Sequence, residues 1–95
     1  MIKYIVLFKF RDPEECIPMV IQKLHSMEAV IPEILSMETG IDIWHNVERS
    51  YDLALTCTFK DMDAFKVYDR HPFHEKVREY IYAHRTDGKT IIYEV

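Results

Sequence analysis

Tyr68, His71 and His74 crowd around Pro72 in the stretch YDRHPFHEKV, residues 68–77. Imidazole and phenol are groups that take, give or share a proton with a carbonyl or another phenol near neutral pH. Pro72 suits the first position of a helix, where its missing N–H costs nothing. His71 precedes that proline, so its backbone is biased to an extended conformation and its side chain is placed to cap the helix. His74 falls in the first turn with Val77 and Arg78 as helical neighbours, on the border of an apolar stripe. A helix N-terminus and partial burial both disfavour the imidazolium form, and a neutral imidazole is what a general base requires. Tyr68 ends the preceding helical run on the same side as Phe65.

Other chemistries find less support. His71 and His74 are three apart, but Pro72 leaves His71 outside the regular turn, and two histidines without a third ligand do not make a zinc site. His25 and His45 read as surface histidines, and Asp42 with Glu38 as a solvated acidic edge, so no metal and no cofactor are expected. Gly40 and Gly88 are the only glycines, too few for a phosphate-cradling loop. Cys16 and Cys57 stand alone, which suits reduced thiols in a cytoplasmic protein, with Cys57 as a small core residue. Twelve Lys and Arg stand against 16 Asp and Glu, for a net charge of −4, and no basic run marks a nucleic-acid footprint. The opening MIKYIVLFKF is broken by Lys3 and Lys9 and too short to span a bilayer, so it reads as a strand and no membrane contact is expected. Ninety-five residues make one domain, residues 1–95.

The elements that hold the candidate residues follow from periodicity. Ile2, Tyr4, Val6, Phe8 and Phe10 alternate with Lys3, Ile5, Leu7 and Lys9, giving a first strand that is apolar at its centre on both faces. RDPEEC opens an acidic helix start, Pro18 is placed in the first turn, and Ile17, Val20, Leu24, Met27 and Ile31 form the buried stripe. A second strand is expected over residues 36–44, with Trp44 at its end suited equally to an exposed anchor, a dimer rim or the core. HNVERS makes a loop. In YDLALTCTF, Tyr51, Leu53, Leu55, Cys57 and Phe59 form one bulky face and Asp52, Ala54, Thr56 and Thr58 a smaller one. Asp61 caps a helix through about residue 70, and Pro72 begins another with Phe73, Val77, Tyr80, Ile81 and His84 inward. TDGK reads as a turn before the last strand, TIIYEV, with Ile91, Tyr93 and Val95 on one side and Ile92 on the other.

The order is β-α-β-β-α-β, an α+β chain with a four-stranded antiparallel sheet. Its helices cover one face of that sheet. The other face carries Ile5, Leu7, Ile91 and Tyr93, an apolar surface of the kind that marks an interaction site. A twofold homodimer packed sheet to sheet covers it most economically.

IKYIVLFKF, IPEILSMETG, YDLALTCTF and above all the Tyr68-x-x-His-Pro-x-His74 pattern resemble the stress-responsive A/B barrel (Dabb) family, from the first strand to the end of the last helix. The resemblance implies a ferredoxin-like fold and a dimeric α+β barrel. It also implies a possible activity: a few plant relatives are polyketide cyclases in which a Tyr and a His matching Tyr68 and His74 serve an aldol-type ring closure. Those relatives carry a histidine in the first strand where this chain has Tyr4, and Asp42 replaces an asparagine common in the family.

Three readings stand side by side. In the first, the homodimer binds a small aromatic or apolar molecule between sheet and helices, against Tyr4, Val6, Phe8, Leu53, Leu55, Tyr68, His74 and Ile92. In the second, the same pocket is a cofactor-free catalytic site of polyketide-cyclase type, with His74 as general base and Tyr68 as the donor that orients a carbonyl. In the third, side chains fill the pocket and the domain only pairs with itself or a partner. An open cavity beside His74 separates the first two from the third.

Overall fold

The computed structural model describes residues 1–95. Its elements are β1 (Ile2–Phe10), α1 (Pro13–Ser26), a 3-10 turn over Met27–Ala29, β2 (Ser36–Ile41), β3 (Leu53–Phe59), α2 (Met62–Arg70), α3 (Pro72–His84) and β4 (Arg85–Glu94). The four strands form one antiparallel sheet in the order β2-β3-β1-β4, the ferredoxin-like arrangement. Strand β1 therefore lies inside the sheet, paired with β3 on one side and β4 on the other. That position explains its apolar centre.

The helices pack on one face only. Val6, Phe8, Leu53, Leu55, Cys57 and Phe59 meet Val20, Leu24, Tyr68, Val77 and Ile81 in the core. On the opposite face Leu7 is 36% exposed, Ile91 58% and Tyr93 41%. Met27 and Ile31 continue the buried stripe of α1 beyond its last turn.

Local chemistry sets the helix ends. The Asp61 carboxylate accepts the Ala64 N–H at 2.9 Å, an N-cap that satisfies one of the orphan donors of α2. His71 ends α2 and begins α3 with extended backbone, φ −64° and ψ 133°, and its Nδ1 accepts the Phe73 N–H at 3.1 Å. One residue thus closes one helix and opens the next, as Pro72 demands.

Four local expectations need correction. Pro18 lies in the second turn of α1, because Pro13 already occupies the helix start, so the carbonyl of Glu14 loses its usual partner. Strand β2 stops at Ile41, and Trp44 is 60% exposed in the loop that follows. Tyr51 precedes β3 and turns away from its bulky face; its hydroxyl donates to Asp87 at 2.7 Å and the Lys9 ammonium lies over its ring. The cause is Asp52, whose N–H donates to Phe8 O and whose carboxylate accepts the Phe10 N–H, both at 2.8 Å. Last, TDGK is strand, not turn. Strand β4 leaves α3 directly, pairing Lys9 with Asp87 and Phe8 with Gly88, and a register shift between Lys9 and Phe10 leaves Thr86 as a bulge. The open ladder of β1 outweighs the local turn preference of those residues.

Phe59 is fully buried, with its ring centroid 5.6 Å from that of Phe65 and 5.0 Å from that of Tyr68. Phe59→Ala is predicted to cost about 3–5 kcal/mol of unfolding free energy by urea denaturation, through lost burial and the cavity left behind. A loss below about 1 kcal/mol would mean that this aromatic cluster is not the support of α2 described here.

Candidate functional site

Tyr4 from β1, Tyr68 from the last turn of α2 and His74 from the first turn of α3 converge where the sheet meets the two helices. Tyr68 is 1% exposed and His74 8%. Their rings stack with centroids 4.2 Å apart and planes 23° apart. Tyr4 meets Tyr68 edge-on at 6.1 Å and lies 5.0 Å from Phe65. The break at His71–Pro72 produces this stack, since it turns the chain sharply between the two residues.

A cavity of about 80 Å³ opens beside the stack. Tyr4, Val6, Phe8, Leu55, Tyr68 and His74 line it, as expected from their strand and helix positions. Leu53 and Ile92 do not. Leu53 is 2% exposed and packed in the core, while Ile92 lines a separate open depression with Met1, Lys60 and Met62. Ile92 pairs directly with Tyr4 and stands beside it, but on the side toward the last residues of β4, where the depression lies. Leu24, Val77 and Ile81 of the helix core also line it, and so do Arg78, Tyr82, Arg85 and Thr90, which were not anticipated. Arg78 was visible at helical spacing from His74. Arg85 was hidden by reading residues 86–89 as a turn, whereas Thr90 stands in the expected last strand, on the side of Ile92.

The enclosed volume is about half the roughly 150 Å³ that admits benzene, so it accepts a group of roughly three or four heavy atoms. Every side-chain nitrogen or oxygen sealed from solvent has a hydrogen-bond partner. Neither the Tyr68 hydroxyl nor His74 Nε2 has a side-chain hydrogen bond in the protein, so each keeps a little exposure, and both residues line the cavity. His74 Nδ1 lies 3.2 Å from the Asp69 carbonyl oxygen and 3.2 Å from Arg78 Nη2. Arg78 is itself held by the Asp69 carboxylate at 2.9 Å and by Glu75 at 2.6 Å. With Nδ1–H donating to Asp69 O, Nε2 carries a free lone pair; with Nδ1 accepting from Arg78, Nε2 carries the proton.

Burial pushes the His74 pKa below its ordinary 6.5, and the nearby Arg78 charge lowers it further. Burial likewise drives the Tyr68 hydroxyl well above the ordinary phenol range and lifts Tyr4 to about 12, with Asp69 adding to the second shift. The site therefore holds a neutral imidazole beside two un-ionised phenols at neutral pH. Cys57, fully buried behind them, has its thiol raised to about 12 by burial and stays protonated. Asp42, the other carboxylate of interest, accepts the backbone N–H groups of His45 at 2.7 Å and Trp44 at 3.3 Å, an anchor for the loop after β2.

A β-α-β-β-α-β sheet with helices on one face, enclosing an apolar cavity, places the chain in the ferredoxin-like α+β class. Its family follows from a direct match: the model of the Stress responsive A/B Barrel Domain (Dabb) covers residues 2–94, and the chain belongs to that family. None of the curated proteins compared matches it. Among solved structures, it is similar to a dimeric ferredoxin-like protein from Thermobifida fusca, with 26% identity, a TM-score of 0.86, and coverage of 99% of this chain and 90% of the other. A second dimeric protein of ferredoxin-like fold, from Bacteroides fragilis, is 28% identical with a TM-score of 0.81 and coverage of 99% and 95%. A hydroxynitrile lyase from Passiflora edulis shares the fold at 14% identity, with a TM-score of 0.88 and coverage of 99% and 92%.

A histidine whose folded pKa lies below its unfolded value binds fewer protons folded than unfolded between the two values. Stability is then complete above pH 6.5 and lost as pH falls below it. Compared with His74→Gln, the wild-type protein is predicted to lose up to about 1.4 kcal/mol more per pH unit through that window. A His74 titration midpoint below 6.5 by NMR is expected; a midpoint at or above 6.5 would overturn the assignment of a buried neutral imidazole.

Proposed function

We propose that this chain acts as a homodimer, joined through the outer face of its sheet, that binds a small molecule in the cavity beside His74. The observation that carries the binding reading is the pairing of two unpartnered polar atoms, the Tyr68 hydroxyl and His74 Nε2, with a wall that is mostly apolar. A phenol held un-ionised donates to a carbonyl or hydroxyl oxygen, and a neutral imidazole accepts or donates beside it. Ligand pockets combine apolar walls with a few convergent polar groups in this way. The dimer is supported by exposed Leu7, Ile91 and Tyr93 on the uncovered face, and by the dimeric state of the T. fusca and B. fragilis relatives. The buried, protonated thiols suit a reducing cytoplasm.

The ligand is smaller than an aromatic polyketide unless the cavity widens. The 80 Å³ available favours a compact carbonyl or hydroxyl compound over a fused ring. The third possibility, a pocket filled by side chains, is disfavoured by that same open volume.

A second reading is favoured by the stack itself. In this reading the neutral His74, whose Nε2 is unpartnered, takes a proton from carbon next to a carbonyl that Tyr68 polarises. This is cofactor-free general-base chemistry, and it requires the tautomer with Nδ1–H on Asp69 O.

A thermal-shift screen of small carbonyl and hydroxyl compounds tests the primary reading, since any ligand of the folded state raises its melting temperature by mass action. Tyr68→Phe removes an unpartnered hydroxyl and is predicted to leave the unliganded stability within about 0.5 kcal/mol. It should weaken ligand binding by roughly 2- to 10-fold. Equal shifts in wild type and Tyr68→Phe, or no shift with any compound, would contradict the reading. If turnover is found, His74→Gln separates the two readings: binding kept and turnover lost assigns His74 as the base.

A further inference from the structure

The cavity wall includes two arginines and no carboxylate, although the whole chain carries a net charge of −4. The two arginines differ in their surroundings. Arg78 is neutralised by Asp69 and Glu75. Arg85 has no ion-pair partner; its guanidinium instead lies over the ring of Tyr82, 4.1 Å from the centroid. Tyr82 is 55% exposed, so this end of the cavity is its mouth.

Gly88 makes that placement possible. It pairs with Phe8, so any side chain at 88 would point to the helix-covered face. A Cβ there would collide with Arg85 Nη1, whereas the nearest backbone atom, Leu7 O, would lie at an ordinary 3.7 Å. The φ of Gly88 is not positive, so conformational freedom does not explain a glycine here. The missing side chain leaves room for the guanidinium instead. Tyr82, Arg85 and Gly88 together hold an uncompensated cation at the entrance of a mostly apolar cavity whose other polar groups are phenols, a hydroxyl, an imidazole and the ion-paired Arg78.

From this arrangement we infer that the ligand is a short-chain keto- or hydroxy-monocarboxylic acid, its carboxylate held by Arg85 at the mouth and its carbonyl or hydroxyl directed to Tyr68 and His74. The inference rests on the binding reading above and narrows it to one chemical class. A guanidinium forms charge-assisted, two-pronged hydrogen bonds with a carboxylate, and stacking on Tyr82 pre-orients its plane for them. The enclosed 80 Å³ takes a tail of roughly three carbons. Inorganic phosphate shares the charge but has no apolar body to fill that space.

Calorimetric titration of the full chain with butyrate, butyramide and inorganic phosphate at fixed ionic strength tests it. Butyrate and butyramide have nearly the same shape and differ in charge. The wild-type protein should bind butyrate at least about tenfold more tightly than butyramide, and phosphate more weakly than either. Arg85→Gln should weaken butyrate by about tenfold or more and leave butyramide within about twofold. Gly88→Ala, which displaces the guanidinium without changing charge, should shift affinities in the same direction. Equal affinities for butyrate and butyramide in the wild type would overturn the carboxylate assignment while leaving the cavity reading intact. Phosphate binding as tight as butyrate, or butyrate affinity unchanged in both variants, would overturn it as well. Binding of neither organic compound would overturn the cavity reading together with the inference.

Discussion

A sheet has two faces, and the helices of this chain cover only one. Strand β1 shows the consequence most plainly. Val6 and Phe8 are buried under the helices, while Leu7 between them is 36% exposed on the other side. Burying apolar surface is worth about 25 cal/mol per Å², so an uncovered sheet face of this kind is a standing drive toward association. The same one-sided layering keeps the cavity apart from that face. The mouth at Tyr82 and Arg85 is set by the end of α3 and the start of β4, on the helix-covered side.

On the covered side, packing and chemistry are joined in one aromatic cluster. Phe59 supports Tyr68, and Tyr68 supports His74 by stacking at 4.2 Å. Such pairs add about 0.5–1.5 kcal/mol each beyond the area they bury. The burial that gives this support also fixes protonation: it keeps His74 neutral and the phenols un-ionised. The protonation states of these groups are a by-product of core packing, with the Arg78 charge adding to the shift at His74.

Much of this was legible in the sequence, for identifiable reasons. The alternation of Ile2 to Phe10, the Asp61 cap and the His71–Pro72 junction are local signals, and each specifies its own structure. The resemblance carried by Tyr68, His71, Pro72 and His74 pointed to the right family. What stayed hidden depends on pairing across the chain. TDGK has turn residues, yet the free edge of β1 draws it into a strand. Tyr51 continues an alternating pattern, yet Asp52 bonds to β1 and turns it to the other side. Both events occur at one end of the sheet, where β1, β3 and β4 meet. The reading of residues 86–89 as a turn is also why Arg85 was missed as a wall residue, while Leu53 and Ile92 lie outside the lining of this cavity. The size of the cavity follows from side-chain packing that no periodicity encodes.

The one-sided layering is tested most directly by small-angle X-ray scattering at micromolar concentration. A lone subunit has a Cα radius of gyration of 13.1 Å. Two 95-residue chains packed face to face into one compact body give roughly 16 Å. The larger radius, unchanged on dilution across the micromolar range, is the predicted result. A radius near 13.1 Å would leave the apolar face open to water and contradict the proposed dimer.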